Sequence, residues 1–504
     1  MLVEAISSEA DQDLSPSCYD IAVVALVGGP QQRECVEWLR SHRHASGLWG
    51  APETLCWNDT YISTYAASVA LRASGHQDEA DAAHTALKTI DTSLPVSETM
   101  TFGGFVDFLD RLSRDRSWPV PEHPQTVHRL IVEERAKWNR MKAWPEFYNP
   151  ELSIAGFCAE RAYGDDDIDL ARLVDTFQTD NGAISHSPGA SAGVLLEHER
   201  RGTRTRTGTG TGTGTGTDKL AGLLRYVRTR RPETLGYLDH LPHFVTAWSA
   251  MFAAEVGPIP PGLAHATAAM LAEYDGGLAS PIGPSTVPGD PDTTACVLLA
   301  AHAAGLPLPE HPGLEQLYDP DKGCYRTFMF ERDGSLSTNI HMAGLLHLTG
   351  RHRRRDEVLE WLHHQLLDLG VQNCKWHISP TYTLGEAARV LAPIDTPTSR
   401  NIRERAVARL LELQSDDGGW GTEQSTVEET AYAALGLAAA PETSSGPALP
   451  RAQEYLARTT PGLEPLWIGK TFYCLRPLVP VLHQVALTRI QQVTAGPSRS
   501  SAGR

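Results

Sequence analysis

"LELQSDDGGWG", from Leu411 to Gly421, ends a helical run, turns through two acids and two glycines, and buries an aromatic. The same grammar recurs. "WLRSHRHASGLWG" runs from Trp38 to Gly50 and "FQTDNGAISHSP" from Phe177 to Pro188. "LAEYDGGLASP" starts at Leu271 and "LYDPDKGCY" at Leu317. Between the turns lie segments such as "YISTYAASVALRAS", "HATAAMLAEY" and "ETAYAALGLAAA", with apolar residues at three- and four-residue spacing and little alternation. Repeated helix-and-turn units bury one another's faces. The expectation is an all-α chain whose helix pairs close into α/α-barrels, or toroids, with an apolar middle suited to a greasy substrate.

Bulk properties narrow the class. A chain of 504 residues exceeds one ordinary domain and predicts two of about 200 residues. Apolar residues make up 41% and charged residues 21%, ordinary for a globular protein. Lys plus Arg number 44 against 61 for Asp plus Glu, a balance of −17, which argues against nucleic acid as a partner. The eight cysteines are dispersed without Cys-x-x-Cys spacing, so neither a zinc knuckle nor a disulfide framework is expected. The first thirty residues show no basic n-region, and no apolar run of about 18 residues exists. The expectation is a cytoplasmic protein without an integral membrane segment. "RGTRTRTGTGTGTGTGTDKL" from Arg201 and the C-terminal "TAGPSRSSAGR" read as low complexity, hence disordered.

"GDPDTTACVLLAA", Gly289 to Ala301, carries the chemistry. Proline disfavours helical geometry in the residue before it, so Asp290 should be extended. Asp292, Thr293 and Thr294 would start a helix, where short oxygen-bearing side chains cap free N–H groups. Capping alone explains many Asp-x-Asp pairs.

Further stretches supply a second reading. "LLELQSDDGGWG" resembles the Gln-Trp repeats of triterpene and class II diterpene cyclases. "SPSCYDIAVVALV" resembles the Ser-x-Tyr-Asp-Thr-Ala-Trp helix of class II diterpene cyclases, with Ile21 and Val23 departing from it. "DNGAISHSPGASA", "KWHISPTYTLGEAARVL", "STVEETAYAALGL" and "PLWIGKTFYC" are similar to further blocks, collinear over roughly residues 15–480. Asp290, Pro291, Asp292, Thr293 and Thr294 then resemble the family's Asp-x-Asp-Asp acid motif, Thr293 replacing the third aspartate. Some bacterial members, a halimadienyl diphosphate synthase among them, share the Asp-x-Asp-Thr-Thr form, and the likeness is nearest to that group.

The resemblance implies protonation-initiated cyclisation of geranylgeranyl diphosphate to a bicyclic labdane- or halimadane-type diphosphate, with the diphosphate retained. A drimenyl-type cyclase acting on farnesyl diphosphate is the alternative. A non-catalytic or protein-prenyltransferase-like toroid is more remote, because no clustered Asp, Cys and His zinc set is visible. An alkene is a very weak base, and a free Asp titrates at about 3.9, so burial or a neighbour must keep the acid protonated. The resemblance gives that role to Asp292, support to Asp290, and orientation of the proton to His341. Cavity aromatics are expected at Trp376, Tyr382 and Trp248, with Tyr432 a further candidate, because π faces within about 6 Å favour cations. Trp420 and Trp49 are assigned to repeat packing.

Lys137, Arg140 and Lys142 fall where the family places diphosphate-binding cations, with Lys470 a further option. The family's Mg2+ implies a metal residue in "LPVSETMTFGGF", where only Glu98 is retained. A downstream class I synthase or a phosphatase is the expected partner in metabolism. "GDDDIDL" holds Asp165, Asp166 and Asp169 in the spacing of class I synthases, but without a second metal motif they read as helix-capping and solvated acids. The family's domain pattern implies a β domain of residues 10–34 and 258–490, interrupted by an inserted γ domain of 35–257 with a disordered loop at 201–218. A disordered tail is expected at 491–504.

Overall fold

The structure, a computed structural model, describes residues 14–51, 56–93, 101–205, 216–368, 370, 374–440 and 446–495. It is mostly helical, with two short antiparallel hairpins, Tyr318–Asp319 with Cys324–Tyr325 and Trp467–Ile468 with Phe472–Tyr473.

The repeat turns have a common physical basis. The Trp420 indole donates to the Leu410 carbonyl at 2.7 Å, and its backbone N–H donates to Thr430 Oγ1 at 2.9 Å. Trp49 does the same with Leu39 at 2.6 Å and Thr64 at 2.9 Å. Gln414 and Gln178 each bridge their own glycine turn, at Gly418 and Gly182, to a neighbouring segment. A buried indole thus satisfies the carbonyl end of one helix while its backbone docks on the next. That places Trp420 and Trp49 in repeat packing, as expected.

Six helices close a ring in the C-terminal half. In order they are Pro242–Ala254, Pro291–Ala303, Leu336–Leu348, Pro380–Val390, Val427–Ala438 and Leu478–Thr494, each packed on the next and the last on the first. The first five are buried over most of their length and lack a polar face, whereas Leu478–Thr494 buries one side and exposes Pro480, Gln484, Gln491 and Gln492. Pro261–Ala272, His352–His363, Pro397–Leu413 and Ala448–Arg458 pack outside them.

A second ring holds the N-terminal half. Cys18–Leu26 packs on Trp57–Ala73, that helix on Phe102–Asp115, and the circuit returns through Ala159–Ala162 and Pro188–Thr205. Most of its apolar side chains form a second core, while Ala159, Ala162, Ala190 and Val194 pack into the core of the C-terminal ring.

Ring membership shifts the expected boundaries at 34/35 and 257/258. Cys18–Leu26 was expected with the C-terminal domain, yet it is buried on almost every side within the N-terminal core. Only the stretch before it, Leu14 to Ser17, joins residues 471–475, through Ser15 N–H to the Cys474 carbonyl and Ser17 to Thr471. Pro242–Ala254, expected in the inserted domain, closes the C-terminal ring. The physical reason is the same for both: a helix without a polar face must be enclosed, and each ring has one such gap.

The edges of both low-complexity stretches are helical. Pro188–Thr205 and Gly216–Thr229 extend into the expected loop 201–218, and Leu478–Thr494 extends into the expected tail 491–504. Residues 206–215 and 496–504 lie outside the described residues. All eight cysteines are free thiols, and no described helix is long and apolar enough to cross a membrane.

Candidate active site

The two aspartates of "DPDTT" divide the labour that the sequence left open. Asp290 is the N-cap of Pro291–Ala303, with extended φ −145° and ψ 161° and Pro291 in the first turn. Its Oδ1 accepts from Thr293 N–H at 2.8 Å and its Oδ2 from Thr293 Oγ1 at 2.8 Å. Thr294 Oγ1 donates to the Asp290 carbonyl at 2.6 Å and accepts from Ala279 N–H at 2.8 Å. Thr293, where the family usually has a third aspartate, therefore serves the cap.

Asp292 takes no part in capping. Its Oδ1 meets His341 Nδ1 at 2.5 Å, and its Oδ2 accepts from Ser337 Oγ at 3.2 Å. His341 and Ser337 sit one turn apart on Leu336–Leu348, the next helix of the ring, which presents both to the same carboxylate. On its other side, His341 Nε2 meets Glu386 Oε2 at 2.9 Å. Arg389 grips Glu386 through two nitrogens, at 3.1 and 2.5 Å. His341 and Glu386 are completely or almost completely enclosed.

The electrostatics follow. Burial, then the charge of Asp292, pushes the Asp290 carboxyl up to about 7. Burial would lower His341, but the adjoining Cys296 and Asp292 raise it well above the ordinary histidine value. Burial pushes the Cys296 thiol itself up to about 12, so it stays neutral and carboxylates supply the negative charge facing the ring. Against burial, Arg389 and His341 hold Glu386 down at about 2.

Asp290, Asp292 and Thr293 line one cavity at the mouth of the C-terminal ring, roofed by Ile154 and Phe157. Trp248 and Trp376 line it, as expected from sequence. Trp248 stacks on Phe244 at 3.8 Å and meets the His341 ring edge-on at 5.6 Å. Tyr382 and Tyr432 do not line it. Tyr382 lies behind the wall in an aromatic nest with His377, Tyr432 and Trp467, at 4.7–5.0 Å. Sequence reading missed Phe244, Tyr237, Phe328, Trp467 and Tyr473, which do line it. It also missed Glu386, although a Glu and an Arg three residues apart in the apolar "YTLGEAARV" were a usable signal.

None of the expected diphosphate cations lines the cavity. Lys470 is fully enclosed, bonding Glu160 at 2.5 Å and Ser187 at 2.8 Å, with Phe105 and Phe157 against its ammonium. That makes it a structural cation, because two chain segments converge on it. Arg140 is exposed. Lys142 pairs with Asp165 at 2.7 Å. Lys137 is buried beside Glu134 at 3.3 Å, with its ammonium 5.2 Å from the Phe330 ring. Phe330 stacks on the cavity residue Phe328, so two aromatic rings separate Lys137 from the cavity, whereas Lys470 lies behind Phe157 alone. The class I look-alike dissolves: Asp165 holds Lys142 and Trp138, Asp166 pairs with Arg200, and Asp169 caps Leu170–Phe177.

Glu98 lies outside the described residues. Asp292, Cys296 and His341 bring possible ligand atoms within 4.8 Å of one another. They do not fit Mg2+, which wants hard oxygen donors, and both His341 nitrogens already face carboxylates.

No family model matches the chain. It is similar to a copalyl diphosphate synthase of Streptomyces cyslabdanicus, 25% identical over 97% of this chain and 94% of that protein. It is also similar to a type B diterpene cyclase of Mycobacterium tuberculosis, 26% identical over 95% of this chain and 96% of the other. The ent-copalyl diphosphate synthase structure from Streptomyces platensis superposes with a TM-score of 0.73 at 23% identity, over 97% of this chain and 98% of that one. The fold is therefore that of the class II terpene cyclases. Relatives over nearly the chain's whole length carry the names copalyl diphosphate synthase and type B diterpene cyclase.

Proposed function

We propose that the protein cyclises geranylgeranyl diphosphate to a bicyclic diterpenyl diphosphate of the labdane or halimadane type, with Asp292 as the acid. The observation that carries this is the division between the two aspartates. Both aspartates line the aromatic cavity, but Asp290 is engaged as a cap while Asp292 takes no part in capping and is backed by His341, whose pKa is raised well above the ordinary histidine value. Support for the C20 substrate comes from full-length similarity to proteins named copalyl diphosphate synthase and diterpene cyclase.

In this reading the terminal alkene takes the proton of Asp292. The O–H bond breaks, a C–H bond forms, and the remaining electron deficiency sits on a tertiary carbon. Inner double bonds attack it in turn and close two rings. Loss of one proton from the cyclised cation makes the reaction an isomerisation, so no oxidant or hydride is needed. The carboxylate left on Asp292 is stabilised by His341 at 2.5 Å. Trp248, Phe244 and Trp376 keep water away and present π faces to the cation. The diphosphate stays attached, and Lys137, behind Phe330 and Phe328, is a candidate cation for it. Mg2+ would be held through the diphosphate oxygens and would supply their counter-charge. The product feeds a class I synthase or a phosphatase, and free thiols throughout fit a reducing cytoplasm.

The test is incubation of the purified protein with geranylgeranyl or farnesyl diphosphate, followed by dephosphorylation and product identification. A bicyclic C20 alcohol is expected. A drimane from farnesyl diphosphate alone would replace the substrate, and no cyclised product from either would remove the reading.

A further inference from the structure

The hydrogen-bonded chain behind the acid does not end at the histidine. It runs Asp292, His341, Glu386, Arg389 and Glu255, with successive contacts of 2.5, 2.9, 2.5 and 2.9 Å. Behind the neutral acid, charges alternate from His341 to Glu255 if His341 is a cation. Glu255 is the most exposed member, with 25% of its side chain accessible against 6% for Arg389 and 11% for Asp292. Such a row of charges is costly to bury, and a helix ring made of Leu, Ala and Val has no packing need for it.

We propose that Glu386 is a positioning residue for proton donation: braced by Arg389, it fixes His341 as a doubly protonated imidazolium, and this commits the transferable proton of Asp292 to Oδ2. The inference rests on the reading above that Asp292 is the acid.

The geometry forces the assignment. Glu386 accepts on both oxygens from Arg389, so its carboxylate is anionic, and the oxygen facing His341 needs an N–H from Nε2. A neutral imidazole with its proton on Nε2 would turn a lone pair on Nδ1 towards Asp292. That lone pair would take the acid's proton into a dead end, away from the cavity. With both nitrogens protonated, Nδ1 donates to Asp292 Oδ1 and the only place left for the acid's proton is Oδ2. After transfer, the imidazolium holds the new carboxylate. The chain is not a proton wire, because Arg389 cannot give up its proton. Its action is electrostatic.

The charged and titratable groups around this pair are few. Asp292 and Cys296 come from Pro291–Ala303, Arg389 and Tyr382 from the helix of Glu386, Tyr432 from Val427–Ala438, and Glu255 from just beyond Pro242–Ala254. None besides Glu386 offers an anion to Nε2. The contact that holds Glu386 low must, by reciprocity, favour the imidazolium to the same extent.

The test uses the full chain with Glu386→Gln and Glu386→Asp, read as kcat, KM and pH profile for geranylgeranyl diphosphate. Apart from the titration of Asp290, whose carboxyl lies at about 7 on the same cavity, wild type should be flat through the ordinary histidine range, where His341 keeps its second proton. Glu386→Gln should lose about 10- to 100-fold in kcat, the scale seen when the partner that orients a functional histidine is removed. KM should be unchanged, and the loss should deepen as pH rises. Glu386→Asp, which keeps the charge, should restore the flat profile. A Gln variant with wild-type kcat and a flat profile would overturn the proposal. Should Gln fail to fold, 15N spectra of histidine-labelled wild type decide, His341 being assigned by its loss in His341→Asn. An imidazolium pattern at pH 7 supports the proposal, and one unprotonated ring nitrogen overturns it. Asp292→Asn separates the two readings: its full activity would remove the acid assignment, whereas an inactive Asp292→Asn beside an unaffected Glu386→Gln removes only this inference.

Discussion

Asp292→Asn isolates acidity from every other property of the site. The helix start is untouched, because its cap is Asp290, bonded twice to Thr293 at 2.8 Å. The amide oxygen still accepts from His341, and the amide can still meet Ser337. Because His341 stays the cationic donor and meets an uncharged carbonyl oxygen in both the protonated acid and the amide, stability should change by no more than about 1 kcal/mol, the scale of one hydrogen bond, and the melt by a few degrees at most. What changes in chemistry is larger, since no amide protonates an alkene. Turnover should fall by at least about 10⁴, the upper end for acid–base groups, which is about 5.5 kcal/mol of barrier at 1.36 per decade. The assay is product formation from geranylgeranyl diphosphate beside a thermal melt and a far-UV spectrum. Turnover within tenfold of wild type in a folded variant would refute the reasoning and move the acid to another residue, Asp290 first.

Four further outcomes follow from the geometry. The Asp290 carboxyl, raised from 3.8 to about 7, binds more protons folded than unfolded between those values. Stability should therefore fall as pH rises from about 4 to 7, by about 4 kcal/mol at 1.36 per unit, and Asp290→Asn should flatten that slope in urea titrations. Lys470→Met leaves Glu160 without its buried cation, so the variant should lose about 3–5 kcal/mol; an intact melt with a raised KM would instead return Lys470 to the diphosphate. Tyr382→Phe removes a buried hydroxyl without a hydrogen-bond partner among the described residues, so melt and turnover should be kept or improved. Trp248→Ala, at the wall itself, should lower turnover sharply, and equal effects of the two would mean that the wall is misassigned.

The sequence by itself determined the helical repeat and the helix that carries the acid. Trp420 and Trp49 mark equivalent turns because an indole N–H reaching back ten residues to a helix carbonyl is a local geometry, readable from spacing. Asp290 as an extended cap before Pro291 is local too. Which aspartate meets the histidine was not local. It depends on Leu336–Leu348 lying beside Pro291–Ala303, so that His341, 49 positions away, meets Asp292 rather than Asp290. The resemblance indicated that pairing, whereas Glu386 came only from the packed ring. Cations misled for the same reason. A lysine looks alike in sequence whether it awaits a phosphate or neutralises Glu160, and only the convergence of distant segments tells the two apart. Domain edges obeyed that rule as well: Cys18–Leu26 and Pro242–Ala254 are apolar all round, and a helix with no polar face carries no mark of which ring it will close.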